Sequence, residues 1–236
     1  MFFLKNRGMA KKEKILGILG GMGPYATLHF LKQILDVTPA KKDWEHLRLL
    51  IDNNVKIPSR TRAILYNEES PVNQMVESIN GLAKIGADFV AVPCNSAHFF
   101  YDEVTPQITI PWPNIVQITS EVLKQAQKKH PLILGGYVTV EKKIYSKYLD
   151  NAAYLDTEGN NFIMEIIEEI KLTNALSFDK TKRFREILRK RRGEIDSVVL
   201  ACTELPIIFS EDEIEGFSVI DPDLEYAKAV VHFAKS

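Results

Sequence analysis

The chain has only two cysteines, Cys94 and Cys202, among 236 residues. It also lacks an excess of charge of either sign, because 30 Lys and Arg residues stand against 31 Asp and Glu residues. A balanced chain of this kind does not carry the positive patches that phosphate backbones or anionic membranes attract. We therefore expect no nucleic acid and no membrane among its partners.

Long hydrophobic runs are missing as well. The N-terminal segment has an apolar run of only three residues, at positions 2–4, whereas the core of a signal peptide needs about 7–15. Nothing approaches the roughly 20 apolar residues of a membrane span. We expect a cytoplasmic protein, with Met9 as a candidate start because the patterned fold begins near Lys14. Thiols stay reduced in that compartment, so the cysteines are interpreted as reactive or buried groups rather than as a disulfide.

What the chain does have is an α/β pattern. With 45% apolar residues it can bury a core in one large or two modest domains. Short apolar runs alternate with longer amphipathic segments, as in repeated βα units, and most runs are continuously apolar, as in parallel strands covered on both faces. The predicted strands are residues 15–19, 47–52, 89–93, 115–118, 132–134, 153–155, 198–201 and 217–220. The predicted helices are residues 26–35, 72–85, 120–128, 141–149, 161–170, 179–192 and 224–234.

One nine-residue stretch occurs twice. Residues 88–96 (DFVAVPCNS) align without a gap on residues 196–204 (DSVVLACTE), and each stretch carries one cysteine just after a predicted strand. The repeat predicts two pseudosymmetric α/β lobes, each a mainly parallel sheet flanked by helices, with an active site between them. We place the first lobe at residues 1–117 and the second at 118–216, with a C-terminal helix at about 217–236 returning to the first.

The two cysteines are the main candidates for chemistry. A thiol at the carboxyl end of a strand lies near backbone N–H groups, which stabilise the thiolate and lower its pKa. Two alternatives stay open: a cysteine is often a small buried hydrophobic residue, and Cys94 with His98 has a Cys-x-x-x-His spacing that zinc sites use. A full zinc site needs more ligands than this pair, however, so we predict no metal.

Polar residues surround these thiols. Asn95 and Ser96 follow the first cysteine, and Thr203 and Glu204 follow the second. They can hold a small polar molecule between the lobes, or they can cap the helices that follow. Thr139 follows another predicted strand, at the sheet end where open α/β folds bind ligands. Its alternative role is the N-cap of a helix that begins near residue 141.

Three further positions are candidates for anion binding. Residues 20–24 (GGMGP) join a strand to a helix, where glycine lets the backbone approach a ligand. A tight turn is the alternative, since the dinucleotide fingerprint Gly-x-Gly-x-x-Gly is absent. The guanidinium of Arg60 suits bidentate carboxylate recognition, although a surface arginine is commoner. Lys171 ends an apolar helix run, where a cation is favourable in any case.

At these residues the chain resembles the aspartate/glutamate racemase family, the cofactor-independent amino-acid racemases. The resemblance covers nearly all of the chain from Lys14, and four ordered motifs carry it: residues 20–27 (GGMGPYAT), 57–61 (IPSRT), 93–98 (PCNSAH) and 202–205 (CTEL). It implies two α/β lobes, an active site between them, frequent homodimerisation and one catalytic cysteine in each lobe. It also implies no cofactor, and we recognise no Schiff-base motif for pyridoxal phosphate.

Carried over by position, the resemblance makes Cys94 and Cys202 the acid–base pair and Arg60 and Lys171 the binders of substrate carboxylates. The remaining implied substrate contacts are Met22, Asn95, Ser96, Thr139, Thr203 and Glu204. The chain departs from the family pattern at Ser59, often Asp; at Ser96, usually Thr; and at Gly136 and Lys142, where Thr and Ser or Thr are common. The last two changes bear on substrate specificity and leave the thiol pair intact.

The predicted function follows from this arrangement. Inverting a stereocentre through a carbanion needs a base on one face of Cα and an acid on the other, and a thiol of pKa about 8.5 can serve as either. We predict a racemase of a dicarboxylic amino acid, aspartate or glutamate. The alternatives are a related isomerase or decarboxylase acting on another carboxylate, and a two-lobe protein that binds a ligand without chemistry.

Overall fold

The structure, a computed structural model, describes residues 13–209, 214 and 216–236, and it contains two parallel sheets of three strands each. The strands are β1 (Leu16–Gly20), β2 (Leu49–Asn53), β3 (Phe89–Ala91), β4 (Pro131–Gly135), β5 (Ser197–Ala201) and β6 (Ser218–Ile220). The helices are α1 (Pro24–Val37), α2 (Arg60–Tyr66), α3 (Val72–Lys84), α4 (Tyr101–Val104), α5 (Ile115–Gln125), α6 (Tyr137–Glu141), α7 (Thr157–Thr173), α8 (Phe178–Arg189), α9 (Leu205–Ile208) and α10 (Pro222–Lys235). Short 3₁₀ segments lie at Asp43–Glu45, Asn95–Phe100, Thr105–Gln107 and Ile144–Lys147.

Both sheets are parallel and flanked by helices, which confirms the predicted α/β fold of two lobes. In the first sheet the strand order is β2-β1-β3, and in the second it is β4-β5-β6. Each cysteine follows the strand that pairs in parallel with the first strand of its own sheet: β3 with β1, and β5 with β4. The nine-residue repeat therefore marks equivalent strands.

The aspartate that opens each repeat has the same structural task in both lobes. Asp88 Oδ2 accepts a hydrogen bond of 2.7 Å from the backbone N–H of Ile15, just before β1. Asp196 Oδ2 accepts from the backbone N–H groups of Lys129 and His130, just before β4, at 2.5 and 3.0 Å. Each carboxylate thus satisfies N–H groups where a neighbouring strand begins, which explains why the repeat keeps aspartate here.

A shared hydrophobic core joins the two sheets. It contains buried residues from both, including Leu16 and Ile18 of β1 and Ile133 of β4, together with residues of α1, α5 and α10. Helix α10 packs on α1 and α5, so the C-terminal helix contacts the predicted first lobe. The boundary after residue 117 stays a prediction, and α5 runs across it.

The predicted strand at 115–118 is wrong, because these residues open helix α5. The side chain of Asn114 accepts hydrogen bonds from the backbone N–H groups of Val116 and Gln117 at 2.9 and 3.1 Å, which caps the helix. The apolar residues of this segment then continue at helical spacing, with Thr119 and Leu123 buried in the same helix. The predicted helix at 120–128 is the later part of α5.

Two other predicted elements are reduced or moved. The predicted strand at 153–155 contributes only an isolated parallel bridge, between Ala153 and Leu132. The predicted helix at 141–149 is wrong, because α6 ends at Glu141 and Lys143 has a φ of 46° in the left-handed region, which interrupts the helix. Among the described helices, none combines the length and the apolar composition that a membrane crossing requires.

The hydroxyl of Tyr226 links α10 by hydrogen bonds to the segment that leads to Cys94. It donates to the carbonyl of Pro113 at 2.7 Å and accepts from the backbone N–H of Val92 at 3.3 Å. Val92 directly follows strand β3 of the first sheet, and Tyr226 itself is buried. We conclude that this hydroxyl satisfies two backbone groups that would otherwise be unpaired in the interior.

We predict that Tyr226→Phe lowers the free energy of unfolding by about 1–3 kcal/mol, the usual cost of leaving buried polar groups without partners. Chemical denaturation followed by circular dichroism measures this. Tyr66→Phe is the matched control, because Tyr66 is 65% exposed, and it should change stability by less than about 0.5 kcal/mol. Equal stability of the two variants would contradict the structural role of the Tyr226 hydroxyl.

Candidate active site

The two cysteines line one cavity of about 90 Å³. Cys94 follows β3 and Cys202 follows β5, so both lie at the carboxyl ends of parallel strands. At about 30 Å³ for each water molecule in the liquid, this volume corresponds to roughly three waters, so the cavity suits only a small molecule. Both cysteines are free thiols.

Every residue that the sequence analysis named as a site residue lines this cavity. They are Met22, Arg60, Cys94, Asn95, Ser96, Thr139, Lys171, Cys202, Thr203 and Glu204. They come from both halves of the chain, and Arg60 and Lys171 bring two cations to it. Their roles in binding and catalysis remain proposals.

The cavity also has lining residues that the sequence analysis did not name as site residues. Among them are Thr61, Val138, Met164 and Ile167. Met164, Ile167 and Lys171 are spaced three and four residues apart, which places them on one face of α7. The helical spacing could have identified Met164 and Ile167 from the sequence, because residues one and two turns before Lys171 lie on the same face of the helix and so line the same cavity.

The glycine loop brings the two halves of the chain into contact. Gly21 has a φ of 90°, and a Cβ there would lie 2.4 Å from the backbone of Asn54, so only glycine fits. At Gly23 a Cβ would lie 3.2 Å from Oε1 of Glu204. The loop therefore allows a close approach of Glu204, beside Cys202, to the start of α1.

Arg60 is held by backbone carbonyls and retains free donor capacity. Its Nη1 donates to the carbonyl of Pro58 at 3.0 Å, and its Nη2 lies 3.5 Å from the carbonyl of Met22. Its buried Nε has no hydrogen-bond partner among the residues described. Ser59 caps the helix that carries it, accepting from the backbone N–H of Arg62 at 3.3 Å. A guanidinium fixed in this way is preorganised for a carboxylate.

Lys171 lies in the last turn of α7, and its side chain reaches the cavity although the residue as a whole is exposed. Burial of the ammonium lowers its pKa. Electrostatic interactions with Cys202 and Glu204, with smaller contributions from Glu168 and Cys94, outweigh burial and raise the pKa of Lys171 above its usual value. Lys171 is therefore a cation at any physiological pH.

Cys202 has a carboxylate as its direct neighbour. Its thiol donates to Oε2 of Glu204 at 2.9 Å, and the hydroxyl of Thr203 donates to the same oxygen at 3.2 Å. Burial is the largest cause that raises the pKa of Cys202 well above its usual value; the charge of Glu204 raises it further, and Lys171 lowers it. At neutral pH Cys202 is accordingly a protonated thiol.

Cys94 has a different environment. Its Sγ lies 3.4 Å from Oγ of Ser96, so Ser96 contacts the thiol rather than capping a helix. Asn95, which directly follows Cys94, is buried, and its Oδ1 accepts a hydrogen bond of 2.6 Å from the hydroxyl of Tyr145. The two thiols thus occupy matching places in the fold with unlike neighbours.

His98 is a structural residue. Its Nε2 accepts a hydrogen bond of 3.3 Å from the backbone N–H of Ile115, so Nδ1 carries the proton and donates to the carbonyl of Cys94 at 2.9 Å. Burial lowers the pKa of His98 to about 4, which keeps the ring neutral. Both ring nitrogens are occupied, and the described residues contain no cluster of His, Cys, Asp or Glu that could hold a metal ion.

Three other positions have defined places. Thr139 lies inside α6, which begins after Gly136, so it is not an N-cap. A Cβ at Gly136 would meet no atom within 4 Å, and glycine therefore leaves space that a larger residue would fill. Lys142 lines a separate pocket with Lys143 and Lys147, so that departure from the family pattern does not touch the cavity.

Comparisons with known proteins agree with this geometry. The broad specificity amino-acid racemase RacX of Bacillus subtilis is 25% identical over 224 residues, which is 92% of this chain and 96% of that protein. The solved structure of Picrophilus torridus aspartate racemase superposes with a TM-score of 0.84 and 33% identity, covering 94% of each chain. An aspartate racemase homologue from Pyrococcus horikoshii shares the fold, with a TM-score of 0.73 and 22% identity over 94% of this chain and 100% of that one.

The family description "Asp/Glu/Hydantoin racemase" matches residues 19–230, far more than half of the chain. This match confirms the resemblance that the four motifs carry, and with it the expectation of a racemase enzyme. The homodimer and the cytoplasmic location stay predictions. The chain belongs to the Asp/Glu/Hydantoin racemase family.

Proposed function

We propose that the chain racemises a dicarboxylic amino acid, aspartate ahead of glutamate, by proton transfer between Cys94 and Cys202 without pyridoxal phosphate. The observation that carries the proposal is that both thiols line one small cavity together with Arg60 and Lys171. Two cations in such a cavity suit a substrate with two carboxylates. The 33% identity with Picrophilus torridus aspartate racemase supports aspartate as the first substrate to test.

The proton transfer balances across the two thiols. The thiolate of one cysteine removes the Cα proton and becomes a thiol, while the thiol of the other delivers its proton to the opposite face and becomes a thiolate. The substrate leaves inverted, and the enzyme is left with the protonation states of the two cysteines exchanged. That form is the one needed for the reverse reaction, and exchange with solvent restores the original form.

Stabilising the carbanion is the hard part of this chemistry, because no electron sink is available in the cysteine mechanism. Charge develops on the carboxylate next to Cα as the proton leaves. The guanidinium of Arg60, held by two backbone carbonyls, and the ammonium of Lys171 are prearranged donors for such charge. Cα acidity then depends on how closely these cations meet the substrate.

Glu204 serves this mechanism as the partner of Cys202. The hydrogen bond of 2.9 Å from the thiol to the carboxylate orients Sγ and favours the protonated form. Lys171 acts in the opposite direction, since its charge lowers the pKa of Cys202. We infer that this opposed pair makes Cys202 the acid of the resting enzyme while keeping its thiolate accessible during turnover.

A protein that binds without chemistry is the alternative from another class. Deuterium wash-in at Cα separates the two possibilities, because binding alone exchanges no Cα proton. The aspartate enantiomers are incubated in heavy water with the protein and without added cofactor, and proton NMR follows loss of the Cα signal. Absence of wash-in with all acidic amino acids tested would contradict the proposed function.

We predict that the single variants Cys94→Ala and Cys202→Ala lose racemisation yet exchange the Cα proton of opposite enantiomers with retained configuration. Each variant keeps one base on one face of Cα, so it can remove and return a proton there but cannot invert the centre. Chiral chromatography and proton NMR in heavy water read the two outcomes. The double variant, which should exchange neither enantiomer, is the control, and racemisation near the original rate in either single variant would contradict the two-base mechanism.

We predict that Arg60→Ala and Lys171→Ala each lower kcat/KM for aspartate by roughly 10- to 150-fold, the loss of one charge-assisted hydrogen bond of about 1.5–3 kcal/mol. Arg62→Ala is the matched control, because Arg62 lies on the same helix but is exposed and paired with Glu68. It should retain kcat/KM within about twofold. Unchanged kinetics in a folded Arg60→Ala variant would contradict a role of Arg60 in substrate binding.

We predict opposite shifts of the Cys202 pKa when its two charged neighbours are neutralised. In a Cys94→Ser background, Glu204→Gln should lower the pKa of Cys202, because the carboxylate raises it, and Lys171→Met should raise that pKa further. The pH dependence of iodoacetamide alkylation measures both. Shifts in the same direction would contradict the opposed action of the two residues.

A further inference from the structure

Asn95 lines the cavity with half of its carboxamide unsatisfied. The residue directly follows Cys94 and is only 3% exposed. Its Oδ1 accepts a hydrogen bond of 2.6 Å from the hydroxyl of Tyr145, whereas its buried Nδ2 has no hydrogen-bond partner within the described part of the chain. Leaving a buried donor without an acceptor costs free energy. The Asn95 carboxamide therefore carries a donor that a bound molecule can satisfy.

The length of the hydrogen bond to Tyr145 fixes which end of the carboxamide meets the hydroxyl. The oxygen and nitrogen of an amide have nearly the same shape, so the partners decide the orientation. Hydroxyl groups donate to oxygen over about 2.5–3.0 Å, whereas N–H groups donate over about 2.7–3.2 Å. The separation of 2.6 Å thus fits a hydroxyl that donates to Oδ1. Burial raises the pKa of Tyr145 above its usual value, so the hydroxyl retains the proton that it donates.

Tyr145 reaches the cavity only through Asn95. It lies in the 3₁₀ segment Ile144–Lys147, which packs against the segment Asn95–Phe100. Its ring is fully buried in the hydrophobic core that joins the two sheets, and Tyr145 is not among the residues that line the cavity. The orientation of the Asn95 carboxamide is therefore set by a residue 50 positions further along the chain.

The backbone beside Asn95 is held independently of Tyr145. The carbonyl of Cys94 accepts hydrogen bonds from the backbone N–H of Ala97 at 3.1 Å and from Nδ1 of His98 at 2.9 Å. Removing the Tyr145 hydroxyl leaves both of these bonds in place. What it frees is the carboxamide of Asn95, which can then turn about its last side-chain torsion.

We propose that Tyr145 is a positioning residue: its hydroxyl holds Oδ1 of Asn95 away from the cavity, so that Nδ2 is presented to a carboxylate of the substrate. The statement about the substrate rests on the proposed function. In the opposite orientation the lone pairs of Oδ1 would face the carboxylate and repel it. A donor that is oriented before the substrate binds needs no reorganisation during the reaction. Arg60 and Lys171 supply charge to the cavity, and Asn95 adds a neutral donor directly beside Cys94.

A double-mutant cycle tests whether Tyr145 acts through Asn95. Asn95→Ala should lower kcat/KM for aspartate by roughly 10- to 150-fold, and Tyr145→Phe by at least about fivefold. The double variant should match Asn95→Ala within about twofold, because the hydroxyl then has no carboxamide to orient. Tyr154→Phe is the matched control, since the hydroxyl of Tyr154 lies 3.2 Å from that of Ser146, and neither residue lines the cavity. An unchanged Tyr145→Phe enzyme, or a further loss on top of Asn95→Ala, would overturn the proposal.

Asn95→Asp tests which end of the carboxamide faces the ligand. The aspartate side chain still accepts from Tyr145 but offers no N–H to the cavity. In a Cys202→Ser background, where Cys94 is the only cysteine left, added aspartate should protect Cys94 from iodoacetamide. Asn95→Asp should require at least about tenfold more aspartate for half protection, and more than Asn95→Ala requires. Protection as good as that of Asn95→Ala would show that an oxygen faces the ligand and would overturn the proposal. This variant keeps the Tyr145 hydroxyl, so it remains informative if Tyr145→Phe does not fold.

Nuclear magnetic resonance of ¹⁵N-labelled protein decides the orientation without ligand or turnover. The Asn95 carboxamide signals are identified by their loss in Asn95→Ala, and they should be as rigid as the backbone in the original protein and in Tyr154→Phe. Tyr145→Phe should make the carboxamide mobile or bring its N–H protons closer to the ring at position 145, seen as a stronger nuclear Overhauser effect. Unchanged rigidity with an unchanged effect would overturn the positioning role. A protein that racemises no acidic amino acid would contradict the proposed function alone, since these signals report on Tyr145 in the empty site.

Discussion

Parallel strand pairing is the constraint on which the site depends. In a parallel sheet all carboxyl ends lie at one edge, so pairing of β3 with β1 and of β5 with β4 brings each cysteine to the edge of its own sheet. Asp88 and Asp196 satisfy backbone N–H groups at the opposite ends of these pairs. The shared core then joins the sheets. Two thiols that line one cavity are a consequence of repeating the same structural unit.

The site concentrates charges that a stable interior would avoid. Glu204 is buried, Arg60 Nε is buried without a partner in the described chain, and Asp223 is an unpaired acid. Each costs free energy that the three buried hydrophobic clusters of the described chain must offset. For Arg60 the proposed substrate would offset this cost, because a carboxylate supplies the acceptor that its buried Nε lacks within the described chain. Destabilisation of the empty site and affinity for an acidic substrate then have the same physical origin.

Much of this could be predicted from the sequence, because the informative signals were local. The repeat identified β3 and β5, and the short motifs beside the strand ends identified the residues that line the cavity. The strand predicted at 115–118 failed because its apolar run was considered without the cap at Asn114, and the helix at 141–149 failed because nothing local predicts the left-handed backbone of Lys143. The burial of Asp223 could not be predicted for a different reason, because it depends on contacts between distant parts of the chain.

Cys94 and Cys202 occupy matching places in the fold but have different neighbours. Thermodynamics limits how far this difference can favour one enantiomer. Racemisation has an equilibrium constant of one, so kcat/KM must be equal for the two enantiomers whatever the environments of Cys94 and Cys202. The hydrogen bond from Cys202 to Glu204 therefore cannot favour one product. What it can do is fix which protonation form of the enzyme dominates between turnovers, so that kcat and KM differ between enantiomers in a compensating manner. In the proposed mechanism the carboxylate of Glu204 thus selects the resting form, while the equilibrium constant of one keeps kcat/KM equal in the two directions.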